Sequence, residues 1–279
     1  MKTHQPGVRA VTLALLGAYT GALWANPYEC LIEPHQTVEI RSSTEGVIQR
    51  VLVQRGERVQ KGQVLVQLES SAEVSAVQLA RHRSQAGGRI ASAENRLDYA
   101  TKKLTRSSEL QAQSFISAQA RDEAQAEKRI TESELRDARE TQEMAAYEYR
   151  HAQDLLERRT LRSPFNGVVM ERLLNPGDLA EAGNGRKPIL KLAQIEPLRV
   201  EVVLPLAAYA KLKKKDTAQV TPEGLGGSYA ASVSVIDSVF DSASGTFGVR
   251  LELPNAVGKL PAGIRCKVDF PALRPLAGK

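Results

Sequence analysis

Residues 71–160 contain no proline, and their only glycines are the adjacent pair Gly87-Gly88. Ninety residues with no other helix breaker, rich in Ala, Glu, Gln and Arg, can hardly avoid becoming helix. In the first half Ala76, Leu79, Arg83, Ala86, Ile90, Ala93, Leu97, Ala100 and Leu104 alternate spacings of three and four. Leu135, Ala138, Gln142, Ala145, Tyr149, Ala152 and Leu156 repeat that spacing in the second half. Such a seam is the mark of a coiled coil, and small Ala at many of its positions lets two helices approach closely. The register breaks over Gln113–Ser117, where Ser114 or Ser117 can cap a returning helix. The expected structure is an antiparallel α-hairpin with arms of about 43 residues, which at 1.5 Å per residue reach about 65 Å. Gly87-Gly88 is a candidate bend in the first arm.

The flanks are different. "EGVIQRVLVQRGERVQKGQVLVQLES" (45–70) and "FNGVVMERLLNPGDLAEAGNGRKPILKLAQ" (165–194) are β-rich with glycine at expected turns, and they resemble each other. Gly46-Val47-Ile48 matches Gly167-Val168-Val169 at an offset of 121, and Gly56 matches Gly177 at the same offset. Two similar halves (40–70 and 161–195) imply one small β module, with the hairpin (71–160) inserted between them. After Pro197, five short strands and one helix begun by Pro205 suggest a small β-barrel over 196–271, with residues 28–38 running beside it and 272–279 as a tail. Low aromatic content, 5%, fits thin β modules and Ala-faced helices better than a thick globular core.

The first 25 residues read as a secretory signal. Lys2 and Arg9 precede the apolar run Ala10–Trp24, and Ala25 is the expected cleavage point. Retention as an N-terminal anchor is the alternative. The net charge of +6 becomes +4 when Lys2 and Arg9 are removed. Charges are interspersed apart from "KLKKK" (211–215), read as a solvated helix end or a contact for membrane headgroups or an acidic partner. No aromatic-basic interleaving points to nucleic acid. Cys30 and Cys266 lie near opposite ends of the chain, and export would permit them to pair. Pairing would set the chain ends side by side in one module; two free thiols in strand interiors are the alternative.

A split β repeat with an inserted coiled-coil hairpin and a following barrel resembles the periplasmic adaptor, or membrane fusion protein, family of tripartite efflux pumps and type I secretion systems. "EGVIQRVLVQRGERVQKGQVLVQLES" looks like the family's first lipoyl half and "LRSPFNGVVMERLLNPGDLA" like its second. "LPNAVGKLPAGIRCKVDF", with Asn255, Gly258, Leu260 and Gly263, looks like its barrel-closing segment. The fold class implied is α+β and elongated: a split lipoyl-like module with Gly46, Gly56, Gly62, Gly167 and Gly177 at its turns, an α-hairpin and a β-barrel. Family members that dock on TolC-type channels carry an Arg, a Leu four residues on and a Ser seven after that at the hairpin tip; here Arg106, Leu110 and Ser117 match, with Phe115 and Ile116 supporting the turn.

The resemblance implies an adaptor in the periplasm, held at the inner membrane through its transporter. It would bridge that inner-membrane transporter, RND type favoured over an ABC exporter or type I system, to an outer-membrane channel, and would self-associate as a hexamer. A swinging-arm carrier would need a Lys in the tight turn between the halves, where the hairpin is inserted instead. No Ser-His-Asp order, phosphate loop or metal spacing appears, so no catalytic residue, metal site or cofactor is expected. His35, His82 and His151 are scattered.

Overall fold

The computed structural model describes residues 1–2, 27–183 and 186–273. The signal segment therefore lies outside the described residues. No helix among them is long and apolar enough to cross a membrane. The chain divides into two compact units, one of residues 1–33, 199–254 and 263–279, the other of 34–198 and 255–262.

The second unit holds the paired halves and the hairpin. Its β elements are the end of β1 (Tyr28–Ile40), β2 (Gly46–Val51), β3 (Arg58–Val59), β4 (Val64–Leu68), β5 (Thr160–Arg162), β6 (Gly167–Arg172), β7 (Leu179–Ala180) and the start of β8 (Leu190–Pro205). The offset of 121 governs how they pair. Gly46 faces Ala180 and Val47 faces Leu179; the positions 121 apart, Gly167 and Val168, face Val59 and Arg58. The turns are exchanged in the same way. Gly56 N–H donates to the Val169 carbonyl (2.8 Å) and Val169 N–H to the Glu57 carbonyl (2.9 Å); Gly177 N–H donates to the Ile48 carbonyl (2.8 Å) and Ile48 N–H to the Asp178 carbonyl (2.9 Å). Each turn is tied by its own acid, Glu57 accepting from Gln54 N–H and Asp178 from Asn175 N–H, both at 2.8 Å. The core between the halves contains Ile48 with Val169, Val53 with Leu174 and Val59 with Ala180, again 121 apart and all nearly solvent-free. Each half thus completes the other's hydrogen bonds and core.

Gly56, Gly62 and Gly177 have φ of +85°, +82° and +93°, the left-handed region that turns demand and side chains resist. Gly46 and Gly167, expected in turns, instead open strands β2 and β6. Their lack of a side chain serves close approach: a Cβ on Gly167 would press into the Ala193 carbonyl oxygen and stand 2.9 Å from the Phe165 ring.

The hairpin is α1 (Ser71–Gln85) and α2 (Gly88–Ala112) packed against α3 (Ala118–Glu157). The first arm breaks at Ala86-Gly87, and the break shifts the seam. From Ile90 onward the expected seam residues turn inward, but in α1 the inward row is Val77, Ala80 and Ser84, while Ala76 and Leu79 are exposed. Gly87 and Gly88, with open space around them, permit that phase slip between two good helices. Cross-arm pairs Arg96–Glu134 (3.3 Å), Arg139–Glu94 (3.3 Å) and Lys103–Glu127 (2.6 Å) flank the seam. At the base, Arg159 donates to Glu73 (2.5 and 2.9 Å) and to the Glu45 carbonyl (2.7 Å), fixing the helix pair to the β module. The Ser71 hydroxyl and N–H hold the Glu69 carboxyl below its ordinary value where α1 starts.

The first unit is a six-stranded closed barrel. Its order is β1, β12 (Ile264–Asp269), β9 (Thr217–Pro222), β10 (Tyr229–Ile236), β11 (Thr246–Leu253) and β8, with β8 pairing back to β1. Inward and outward residues alternate, as in β9, where Ala218, Val220 and Pro222 are buried. The sequence suggested five strands after Pro197 with residues 28–38 assigned to the same barrel; those residues supply the sixth strand, the start of β1. The segment after Pro205 is a 3-10 helix, Leu206–Lys211. Cys30 and Cys266 stand directly opposite each other on β1 and β12, buried, with Cα atoms 4.8 Å apart and joined as a disulfide.

Residues 255–262, read from sequence as part of the barrel, group with the second unit. Asn255 explains this. Its buried amide donates to the carbonyls of Ile195 (3.1 Å) and Leu260 (2.9 Å), its amide oxygen accepts from Leu260 N–H (3.1 Å), and its own N–H donates to Glu196 (2.6 Å).

Candidate functional site

The tip of the hairpin is built by two helix caps in succession. At the end of α2, Phe115 N–H donates back to the Leu110 carbonyl (2.9 Å) and Ser114 N–H to the Gln111 carbonyl (2.9 Å). This is the Schellman pattern, which closes a helix with one left-handed residue, usually glycine. Here that residue is Ser114, at φ +60°. Three residues on, Ser117 adopts an extended backbone and its Oγ accepts from Ala120 N–H (3.2 Å), starting α3. Ser117 is therefore the N-cap; Ser114, the alternative from sequence, closes the preceding helix instead.

These caps fix what the tip presents. Arg106 and Leu110 lie one turn apart on α2, both exposed. Phe115 is 72% exposed and Ile116 half-buried, so the two do not share the supporting role read from sequence: Ile116 tucks in while Phe115 projects. Ser117 Oγ spends one lone pair on its cap and keeps its hydrogen to donate outward. Among the described residues Arg106 forms no ion pair, whereas nearby charges are engaged: Arg121 with Asp122 (3.2 Å) and Lys103 with Glu127, whose carboxylate holds the Lys103 amine above its ordinary value. Behind the tip, Ala124 is buried and its seam neighbours Arg121, Lys128 and Thr131 are polar, so the last turns are held by small and polar contacts. The tip offers one free cation, two apolar side chains and one hydroxyl donor. No group of three His, Cys, Asp or Glu residues is placed to hold a metal among the described residues.

The caps make a checkable pair of predictions. Ser117→Ala should weaken the start of α3 by about 1 kcal/mol. Ser114→Gly should strengthen the tip by about 1 kcal/mol, because the left-handed conformation costs a side chain roughly that much. Hydrogen exchange of amides 113–121 reads both, with opposite signs expected.

The CzcB-like barrel-sandwich hybrid domain model matches residues 36–185, which comprise the first β half, the whole hairpin and the second half up to residue 185, short of β8. The chain belongs to that family, a branch of the periplasmic adaptor or membrane fusion proteins. It is 24% identical over 243 residues to the cobalt-zinc-cadmium resistance protein CzcB of Cupriavidus metallidurans, covering 87% of this chain and 44% of that one. The chain spans about half the length of the curated relatives it matches, 56% and 44% of the first two. Among solved structures, MacA from Actinobacillus actinomycetemcomitans superposes with a TM-score of 0.73 at 18% identity, over 88% of this chain and 78% of that one. The membrane fusion protein Spr0693 from Streptococcus pneumoniae gives 0.61 at 19% identity, over 87% and 96%. At these identities the two share the fold: split β module, inserted hairpin and barrel.

Proposed function

We propose that this protein is the periplasmic adaptor of a tripartite efflux pump, bridging an inner-membrane transporter of RND type to a TolC-like outer-membrane channel. The observation that carries this reading is the tip: Arg106 and Leu110 are exposed on the last turns of α2, Arg106 in no ion pair among the described residues, and Ser117, whose Oγ caps α3, keeps its hydroxyl hydrogen to donate. A helical channel end could be met by a charge, an apolar knob and a donor held in that geometry. Membership of the CzcB-like family supports an adaptor role. The role is one of assembly, with copies of the chain associating, as a hexamer in this reading, to enclose a conduit. The name of the relative CzcB makes cobalt, zinc and cadmium ions the first cargo to assay.

The test uses Arg106→Asp and Leu110→Asp in the exported protein. Both sites are exposed, so folding should be retained. Loss of cation resistance together with loss of crosslinks from residue 110 to the channel is expected. Undiminished resistance and crosslinking would remove the tip assignment.

A further inference from the structure

One end of the barrel collects features that neither the tip nor the barrel core uses. Strand directions place four segments there: the 206–216 connection, the β10–β11 loop 237–245, the end of β12 and the start of β1. The loop carries Val239, 83% exposed, beside Phe240. Tyr209 of the 3-10 helix stacks edge-on against Phe240 (4.9 Å) and Phe247 (5.3 Å), and Leu206 N–H donates to the Gly245 carbonyl (3.0 Å). Leu206, Tyr209, Val239 and Phe240 thus form one exposed apolar patch on a braced support. An apolar loop of this kind, with Val239 projecting beyond the Tyr209–Phe240 contact, marks a contact surface.

Lys211 ends the 3-10 helix and Lys213, Lys214 and Lys215 follow it, all exposed and, among the described residues, in no ion pair. Lys215 N–H donates to the Val233 carbonyl (2.8 Å), which sets this turn beside the last residues of β10, where the apolar loop begins. The acids at this end are Asp216, Asp237, Asp241 and Asp269. Two of them are turned onto backbone: Asp216 accepts from Lys213 N–H (2.8 Å), and Asp241 accepts from Ala243 and Ser244, which hold its carboxyl below the ordinary range. Asp237 lies over Gly248 on β11. The lysine ammonium groups, by contrast, stand on long free stems.

From this juxtaposition we infer that this end of the barrel is a membrane-surface contact, with Val239 and Phe240 entering the headgroup region and Lys213 and Lys214 pairing with anionic lipid phosphates. Amphipathic aromatics and aliphatics beside lysines suit the interface between water and acyl chains. Each lysine near an anionic leaflet contributes about 1 kcal/mol, roughly fivefold in binding. The inference stands independently of channel docking at the hairpin tip.

The experiment labels Val239→Cys, and separately Ser238→Cys, with an environment-sensitive fluorophore in the full chain; Cys30 and Cys266 are already paired. Leu225→Cys, on the β9–β10 loop at the other end of the barrel and 53% exposed, is the control. The probes are vesicles of phosphatidylcholine with phosphatidylglycerol and vesicles of phosphatidylcholine alone. A blue shift at 238 and 239 on anionic vesicles, none at 225, and a loss of about fivefold in vesicle affinity for each of Lys213→Gln and Lys214→Gln are expected. No shift at 239, or an equal shift at 225, overturns the proposal. If Val239→Asp abolishes export in cells while no shift occurs on vesicles, the surface faces a protein, and the lipid assignment is overturned in favour of one.

Discussion

Reducing the Cys30–Cys266 disulfide is expected to destabilise the barrel by about 4–5 kcal/mol. The bond closes a loop of 236 positions, and in the chain-entropy account a cross-link over so long a separation removes the most freedom from the unfolded chain. The two cysteines lie opposite each other on paired strands, so reduction leaves two buried thiols without altering the ladder around them. Urea unfolding of the barrel with and without a thiol reductant measures the difference. A Cys30→Ala/Cys266→Ala protein should start from the lowered midpoint and ignore reductant. Equal midpoints for the oxidised and reduced protein would show that the strand pairing holds the barrel's first and last strands unaided.

Gly167→Ala is expected to cost about 3 kcal/mol, at the upper end for overpacking, whereas Gly46→Ala should cost under about 1 kcal/mol. The two positions are equivalent by the internal offset, so the contrast tests the environment alone. At Gly167 the added methyl meets the Ala193 carbonyl and the edge of Phe165. That carbonyl belongs to β8, whose Ala193 is paired with Val168, and it cannot withdraw without breaking the ladder. At Gly46 the methyl meets the end of the Arg159 guanidinium at 2.5 Å, which can shift at the cost of its one bond to the Glu45 carbonyl while no backbone has to move. Denaturant titration of the β module separates the two; equal costs would mean that β8 yields.

Much of this was legible because β pairing obeys the repeat. Once Gly46-Val47-Ile48 and Gly167-Val168-Val169 are seen as equivalents, the exchange of turns between halves follows from the need to satisfy Ile48 and Val169 N–H groups. Glycine was overread as a turn signal: at Gly46 and Gly167 the missing side chain makes room for another chain segment, which composition does not distinguish from a need for positive φ. In the hairpin, the seam was clear wherever helix was continuous. It failed in α1 because the Ala86-Gly87 break rotates the helix by a fraction of a turn, and spacing counted across that break carries the error to Ala76 and Leu79. At the tip, the register break located the turn, whereas Arg106, Leu110 and Ser117 were singled out by the family resemblance. The left-handed Ser114 could not be foreseen, because serine carries no mark of that conformation.

The exchange of turns between the β halves has a consequence for how the chain is made. Neither half can satisfy its own hydrogen bonds, so the first must wait, incomplete, until some ninety intervening residues and the second half have been delivered. Joining the halves across a flexible tether of that length would cost about 4 kcal/mol in closure entropy. The helices need no such wait, since their backbone hydrogen bonds are local and form on the microsecond scale, and the arms can then zip from the tip. As α1 and α2 zip against α3, Ser71 and Glu157 arrive side by side, and the tether shrinks from ninety residues to almost none. The hairpin is then a splint that sets two strangers at the right distance to become one module.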